Sequence, residues 1–176
     1  ATAVVQGGGT ISPGLTAVPT PQTFSFSGTA KVVGVICGTT YAAVDVGISA
    51  DGNYVAFESA ALNLVQADHN GKYDVFVRKR DTGDTYRVSV RSDGYEGNSV
   101  TFGAYGSHRP SISADGQYVA FYSLASNLVA GDTNGTYDVF VHQGVTGPTT
   151  RVSVATGGDQ AIKPSWDPAI SADGRY

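Results

Sequence analysis

Apolar and polar positions alternate along this chain in short runs, and residues that favour turns separate the runs. In the stretch 85–90, Tyr86, Val88 and Val90 fall on one side of an extended chain while Arg87 and Ser89 fall on the other, the period-two pattern of a strand. A run at 54–58 is also strand-like, and Asp51-Gly52 before it forms a tight turn from a short strand ending at Ile48-Ser49. The run at 74–78 differs. Val75-Phe76-Val77 places apolar side chains on both faces, so that strand needs cover on both sides. A longer connection at 60–72 leads into it, and Asp81-Thr82-Gly83 turns the chain from it into 85–90. No long stretch carries helical spacing of apolar residues.

This four-strand pattern occurs twice. Ile48-Ser49-Ala50-Asp51-Gly52 returns 64 residues later as Ile112-Ser113-Ala114-Asp115-Gly116. Tyr54-Val55-Ala56-Phe57 returns as Tyr118-Val119-Ala120-Phe121, and Asn63-Leu64-Val65 as Asn127-Leu128-Val129. Tyr73-Asp74-Val75-Phe76-Val77 returns as Tyr137-Asp138-Val139-Phe140-Val141, and Arg87-Val88-Ser89-Val90 as Arg151-Val152-Ser153-Val154. Across 48–90 and 112–154, 29 of 43 positions are identical. A third copy opens at Ile170-Ser171-Ala172-Asp173-Gly174, after a connection six residues shorter. Length variation of that kind marks a surface loop.

Four antiparallel strands per copy, each sheet buried by the next, predict an all-β fold of β-propeller blades. The chain divides into a lead-in at 1–47, blades at 48–111 and 112–169, and the start of another at 170–176. The motif Ile-Ser-Ala-Asp-Gly-x-Tyr-Val-Ala-Phe, then Asn-Leu-Val, then Asp-x-Asn-Gly-x-Tyr-Asp-Val-Phe-Val, resembles the WD-like propeller repeat of the TolB type. The resemblance covers about three quarters of the chain. It implies a propeller that binds proteins or other ligands at its faces, in the bacterial periplasm or outside the cell. Rings of this kind need about four to eight blades, so two copies and the opening of a third form an incomplete ring. A fragment of a longer chain, or association of copies, would complete it.

Residues 1–47 lack the repeat. Gly7-Gly8-Gly9 with Pro13, Pro19 and Pro21 marks an extended lead-in, followed by candidate strands at 23–27, 31–37 and 40–46. The expectation is a diverged preceding blade; the alternative is a small β element that adds to a partner's sheet edge.

Composition narrows the function classes. Hydrophobic residues make up 41% and charged residues 15%, which argues against a disordered chain. A net charge of −4 disfavours nucleic acid, which needs clustered Lys and Arg. Arg78-Lys79-Arg80 is a short run ended by Asp81 and reads as a solvated strand end. No apolar segment approaches the roughly 20 residues that span a bilayer. Cys37 is the single cysteine and, within Val35-Ile36-Cys37, reads as core. The start at Ala1-Thr2-Ala3 and the absence of Met suggest a processed or excised product, with secretion the favoured origin.

One polar constellation stands out. Asp68, Asn70 and Asp74 recur as Asp132, Asn134 and Asp138, each set around a glycine. Oxygen ligands at such spacing on a curved loop suit a structural calcium ion. The spacing is shorter than that of known calcium loops and lacks a bidentate Glu, so an Asx turn ahead of the third strand is the favoured reading. Asp51, Asp115 and Asp173 recur in every copy, which suits a turn rather than catalysis. His69 and His142 replace or are replaced by other residues between copies, and His108 lies where an inner face would be. None has an identifiable Ser or Cys partner, so no hydrolytic triad is supported. Trp166 reads as a packing residue, with a ligand anchor as the alternative.

The expectation is therefore a binding, scaffolding or assembly module without catalytic residues, engaging a protein partner or itself. Carbohydrate binding is the first alternative, because aromatic faces suit sugars. The propeller domain of a larger hydrolase is the second.

Overall fold

The computed structural model describes residues 4–5, 30–34, 44–98 and 106–176, with side-chain detail from Asp45 onward. Ten strands form two antiparallel sheets, and no helix occurs among the described residues. The first sheet has the order β1-β2-β3-β4-β5-β6, from Val4–Val5, Ala30–Gly34, Val44–Ile48, Tyr54–Ser59, Asp74–Lys79 and Asp84–Arg87. The second has the order β10-β9-β8-β7, built from Ser107–Ile112 (β7), Tyr118–Ser123 (β8), Asp138–Gln143 (β9) and Thr149–Arg151 (β10). The meander β3 to β6 matches β7 to β10 strand for strand. Among the described residues these are two propeller blades that do not close a ring.

The expected strands form, with instructive shifts. Each inner strand starts ahead of the repeat's first identical residue, at Val44 and Ser107. A division at 48 or 112 therefore separates most of an inner strand from its own sheet. The fourth strand was expected over 85–90, but β6 ends at Arg87. Val88 still donates its N–H to Val75 O, after which the Ser89 hydroxyl accepts from Val75 N at 3.0 Å and donates to Asp74 Oδ1 at 2.6 Å. A side chain thus replaces the ladder. Ser153, Val139 and Asp138 repeat the arrangement.

The lead-in strands β1 and β2 join the first blade's own sheet, with β2 paired along β3 from Ala30 opposite Ile48 to Gly34 opposite Val44. Among the described residues they extend this sheet rather than form a preceding one. The candidate strand 23–27 and Cys37 lie outside the described residues.

The core lies between the sheets. Val75, Phe76 and Val77 are fully buried, as the both-faces pattern requires, and Ala56, Val75, Val77 and Val88 share one cluster with Ile112, Val119, Phe121, Leu128 and Phe140. Phe57 stacks on Phe76 at 5.7 Å between ring centres, and Phe121 on Phe140 at 5.9 Å. Gly47 lets β3 approach β7: a Cβ there would stand 3.0 Å from Ile112 Cγ2.

The Asp-Gly turns join consecutive blades. In each, the serine hydroxyl donates to the aspartate, whose carboxylate also accepts a backbone N–H two residues on. These bonds hold the Asp51, Asp115 and Asp173 carboxyls below their ordinary range. Ala50 N–H donates to Ala114 O at 2.8 Å, and Ala114 N–H to Ala172 O at 2.9 Å, so the three turns form a continuous chain. The preceding blade's tyrosine covers each following glycine: a Cβ on Gly116 would lie 2.4 Å from the Tyr54 ring, and on Gly174 2.2 Å from the Tyr118 ring.

Gly116→Ala should therefore lose about 2–4 kcal/mol, combining a positive φ of 72° with overpacking. Gly135→Ala, at φ 65° with nothing within 4 Å, should lose only about 1 kcal/mol. Urea unfolding midpoints measure both, and equal losses would remove the blade-to-blade role given to the Tyr54 contact.

Candidate functional site

The recurring acidic loops lie at the end of each blade where the second and third strands connect. In the first blade Asn70 Oδ1 accepts the Lys72 N–H at 2.8 Å, an Asx turn, while its amide donates to Asp74 Oδ2 and Gly97 O. Asn134 does the same with Thr136, Asp138 and Ala161. The centre of the cluster holds a guanidinium. Arg87 Nη1 lies 3.3 Å from Asp68, 3.5 Å from Asp74 and 3.0 Å from Glu96, with the Asp68 and Asp74 side chains almost wholly buried. Arg151 sits likewise 3.6 Å from Asp132 and 3.7 Å from Asp138, and bonds Gln160 where the first blade has Glu96.

Burial raises the Asp68, Asp74 and Asp132 carboxyls above their ordinary range, and the arginine partly offsets this. Among the described residues no group of three or more His, Cys, Asp or Glu is arranged to hold a metal ion. A calcium ion at Asp68, Asn70 and Asp74, or at Asp132, Asn134 and Asp138, would have to displace a bound guanidinium. The arginine was legible as the identity Arg87/Arg151, but its spacing from the loop concealed its role.

A different group gathers at the same end of the blades, on the inner strands. Arg109 of β7 lies between Asp45 of β3, 3.7 Å from its Nε, and Asp167 of the third copy, which accepts a short hydrogen bond from its Nη1. Asp45, Arg109 and Asp167 are equivalent repeat positions. Arg109 and Asp167 both adopt positive φ, 51° and 54°, and the register of β7 shifts between His108 and Ser111. Non-glycine residues in this region carry strain that functional sites often retain.

Glu58 Oε2 accepts the Arg109 N–H at 2.8 Å and lies 3.4 Å from His108 Nδ1. The His108 ring sits between Tyr73 and Tyr122, at 5.3 and 5.6 Å, and Tyr122 meets Tyr137 edge-on at 5.2 Å. Burial raises the Tyr122 phenol above its ordinary value, with Arg109 opposing. Trp166, the counterpart of His108, is 59% exposed. It was expected to pack, and instead it projects beside Asp167.

These residues are where the repeat fails. Glu58 faces Tyr122 across the copies, His108 faces Trp166, and Asp45 faces Arg109. A search for identities passes over them. His69 is exposed as expected and pairs loosely with Glu96 at 3.8 Å. His142 is wholly buried.

No known protein family matches the sequence, and no curated protein is significantly similar to it. Among solved structures, TolB from Acinetobacter baumannii is similar over 84% of this chain, with 15% identity and a TM-score of 0.44. A putative TolB from Agrobacterium tumefaciens is similar over 84% of the chain and 80% of its own length, with 16% identity and a TM-score of 0.22. The chain spans 33% of the Acinetobacter protein's length. The blades themselves, by repeat motif and strand order, settle the fold. It is an all-β fold of propeller blades. Blades of this kind host many chemistries, and function belongs to what varies upon them.

Arg87→Met should destabilise the chain by about 3–5 kcal/mol at neutral pH, because two buried carboxylates lose their counter-charge. The deficit should shrink as pH falls, since burial raises the Asp68 and Asp74 carboxyls in the folded state and protonation removes the charges that Arg87 balances. Calcium or a chelator should leave the wild-type melting temperature unchanged; a rise with calcium would restore the metal reading.

Proposed function

We propose that this chain is part of a protein-binding β-propeller that works outside the cytoplasm and meets its partner at the upper inner rim. The observation that carries this reading is that residues differing between equivalent repeat positions, Glu58 and Tyr122 beside His108, and Asp45, Arg109 and Asp167, meet there. Where two copies share 29 of 43 positions, residues kept in both serve the blade. Those that differ and yet converge in space are free to serve a partner. Glu58, His108, Arg109, Tyr122, Trp166 and Asp167 combine aromatic surface with charges of both signs, a composition enriched at interface hot spots.

Binding is favoured over catalysis because the polar groups at the rim already hold one another. His108 is enclosed by rings and faces Glu58, Arg109 is held by Asp45 and Asp167, and no serine or cysteine is placed against the imidazole by a described bond. An exposed tryptophan next to an ion pair suits the anchor-and-rim pattern of a protein contact.

The test is selection of peptides from a random displayed library on the wild-type chain, followed by affinity measurement on variants. Trp166→Ala should weaken selected peptides by about tenfold to a hundredfold, and Arg109→Ala by a smaller factor. Ile162→Ala, at an exposed position of the loop before the third copy, should leave them unchanged. No enrichment, or equal binding to all variants, would defeat the proposal. Glycan binding abolished by Trp166→Ala would establish the carbohydrate alternative in its place.

A further inference from the structure

His142 occupies the repeat position of Arg78, and the exchange changes the outer edge of the second blade. Arg78 is exposed and donates to Thr85 Oγ1 at 3.0 Å. The same pairing in the second blade joins His142 Nδ1 to Thr149 Oγ1 at 2.8 Å, but here both residues are buried. They are covered by the 90–94 connection of the first blade. Thr149 Oγ1 donates to Val90 O at 2.5 Å, Thr149 N–H donates to Ser92 Oγ at 3.1 Å, and Ser92 Oγ donates to Thr149 O at 3.4 Å.

These bonds assign the protons. The threonine hydroxyl gives its hydrogen to Val90 O, so it receives one from Nδ1, and the neutral imidazole carries its proton there. Nε2 is left as a bare acceptor, buried and without a hydrogen-bond partner among the described residues. A second proton on this ring would create a cation with no acceptor at its new N–H. Burial alone depresses the imidazole from 6.5 to about 4.

His142 lines a cleft of about 510 Å³ between the blades. The titratable and charged groups that share its walls are Tyr86 and Arg87 of β6 and Arg91 and Asp93 of the connection; Val145, Thr146 and Gly147 from its own blade carry no charge. Arg87 is held by Asp68, Asp74 and Glu96, and Arg91 by Asp93 at 2.6 Å. Among the described residues no carboxylate therefore stabilises a cationic ring in place, whereas the open cleft offers water and the Asp93 rim to a ring that swings outward.

We propose that His142, Thr149 and Val90 form an acid-sensitive latch between the two blades, in which protonation of the buried imidazole releases the 90–94 connection from the outer edge of the second blade. The latch is distinct from the rim and does not depend on the binding function proposed for it. The direction follows from linkage. Between the ordinary value of 6.5 and about 4 the open or unfolded state binds the extra proton and the closed state does not, so the closed state is favoured fully above that window and progressively less through it. The closing equilibrium should weaken by about two powers of ten across the window. The raised carboxyls Asp68, Asp74 and Asp132 act with the opposite sign, so the contribution of His142 is read as a difference between variants.

The experiment follows the three histidines of the full chain by NMR titration, together with backbone hydrogen exchange at 90–94 and urea midpoints between pH 7 and 4.5. In the wild type His142 should titrate well below the ordinary imidazole value of 6.5, and exchange at 90–94 should accelerate on acidification before the Asp-Gly turns do. His142→Gln should lose that acid acceleration and flatten the midpoint against pH. Thr149→Val should open the connection at neutral pH with intact blades. Titration of His142 at the ordinary imidazole value of 6.5, or an acid response that persists in His142→Gln, would overturn the latch. Should His142→Gln fold poorly, Thr149→Val and the wild-type titration decide the matter alone.

Discussion

Burial of the third strand on both faces governs everything else in this molecule. Val75, Phe76 and Val77 have no exposed surface to speak of, and their neighbours β4 and β6 cover only their edges. One face must be supplied by another sheet. The second blade supplies it with Ile112, Val119, Phe121 and Leu128, which are its copies of Ile48, Val55, Phe57 and Leu64. A repeat that needs its own likeness as cover is a stacking unit rather than an independent domain. Its stability is then nearest-neighbour in character, and the turn-to-turn bonds from Ala50 to Ala114 to Ala172 set the spacing at which the stack proceeds.

The polar ends of the blades follow from the same stacking. A strand buried on both sides still needs its backbone and flanking polar groups satisfied where it begins. Asp74 begins that strand, and Ser89, Asn70 and Arg87 converge on it. One arginine thereby ties the long connection, the third strand and the loop leaving the fourth. Ion pairs of this burial add little net stability over apolar packing, but they are costly to break. Their value here is geometric: they fix where the loops leave the sheet, and so where the inner rim stands.

How much of this was legible in the sequence depended on range. The Asp-Gly turns were legible because serine, aspartate and glycine satisfy one another within five residues. The both-faces strand was legible because three consecutive apolar residues leave a polar face nowhere to lie. The end of β6 at Arg87 was not, because alternation continues through Val90 while the ladder gives way to the Ser89 side chain. The acidic loop was only half legible. Its residues suggested a cation, and the cation present is Arg87, thirteen positions beyond Asp74. The burial of His142 was illegible from its own blade, since the cover comes from 90–94 of the other.

The rim was the least legible part, and the reason is physical rather than accidental. Repeat identity starts only at the last residue of each inner strand and runs on through the turn beyond it, where Ile112-Ser113-Ala114-Asp115-Gly116 must fit the blade before it. The upper half, His108-Arg109-Pro110-Ser111 against Val44-Asp45-Val46-Gly47, bulges at a residue with positive φ and escapes that requirement. Stacking therefore constrains one end of the inner strand and leaves the other free to vary. Divergence collects at that end of both blades, and because β3 packs against β7, residues far apart in sequence become neighbours there. Asp45, Arg109 and Asp167 meet for that reason, and a fold built from like parts acquires an unlike surface at this end.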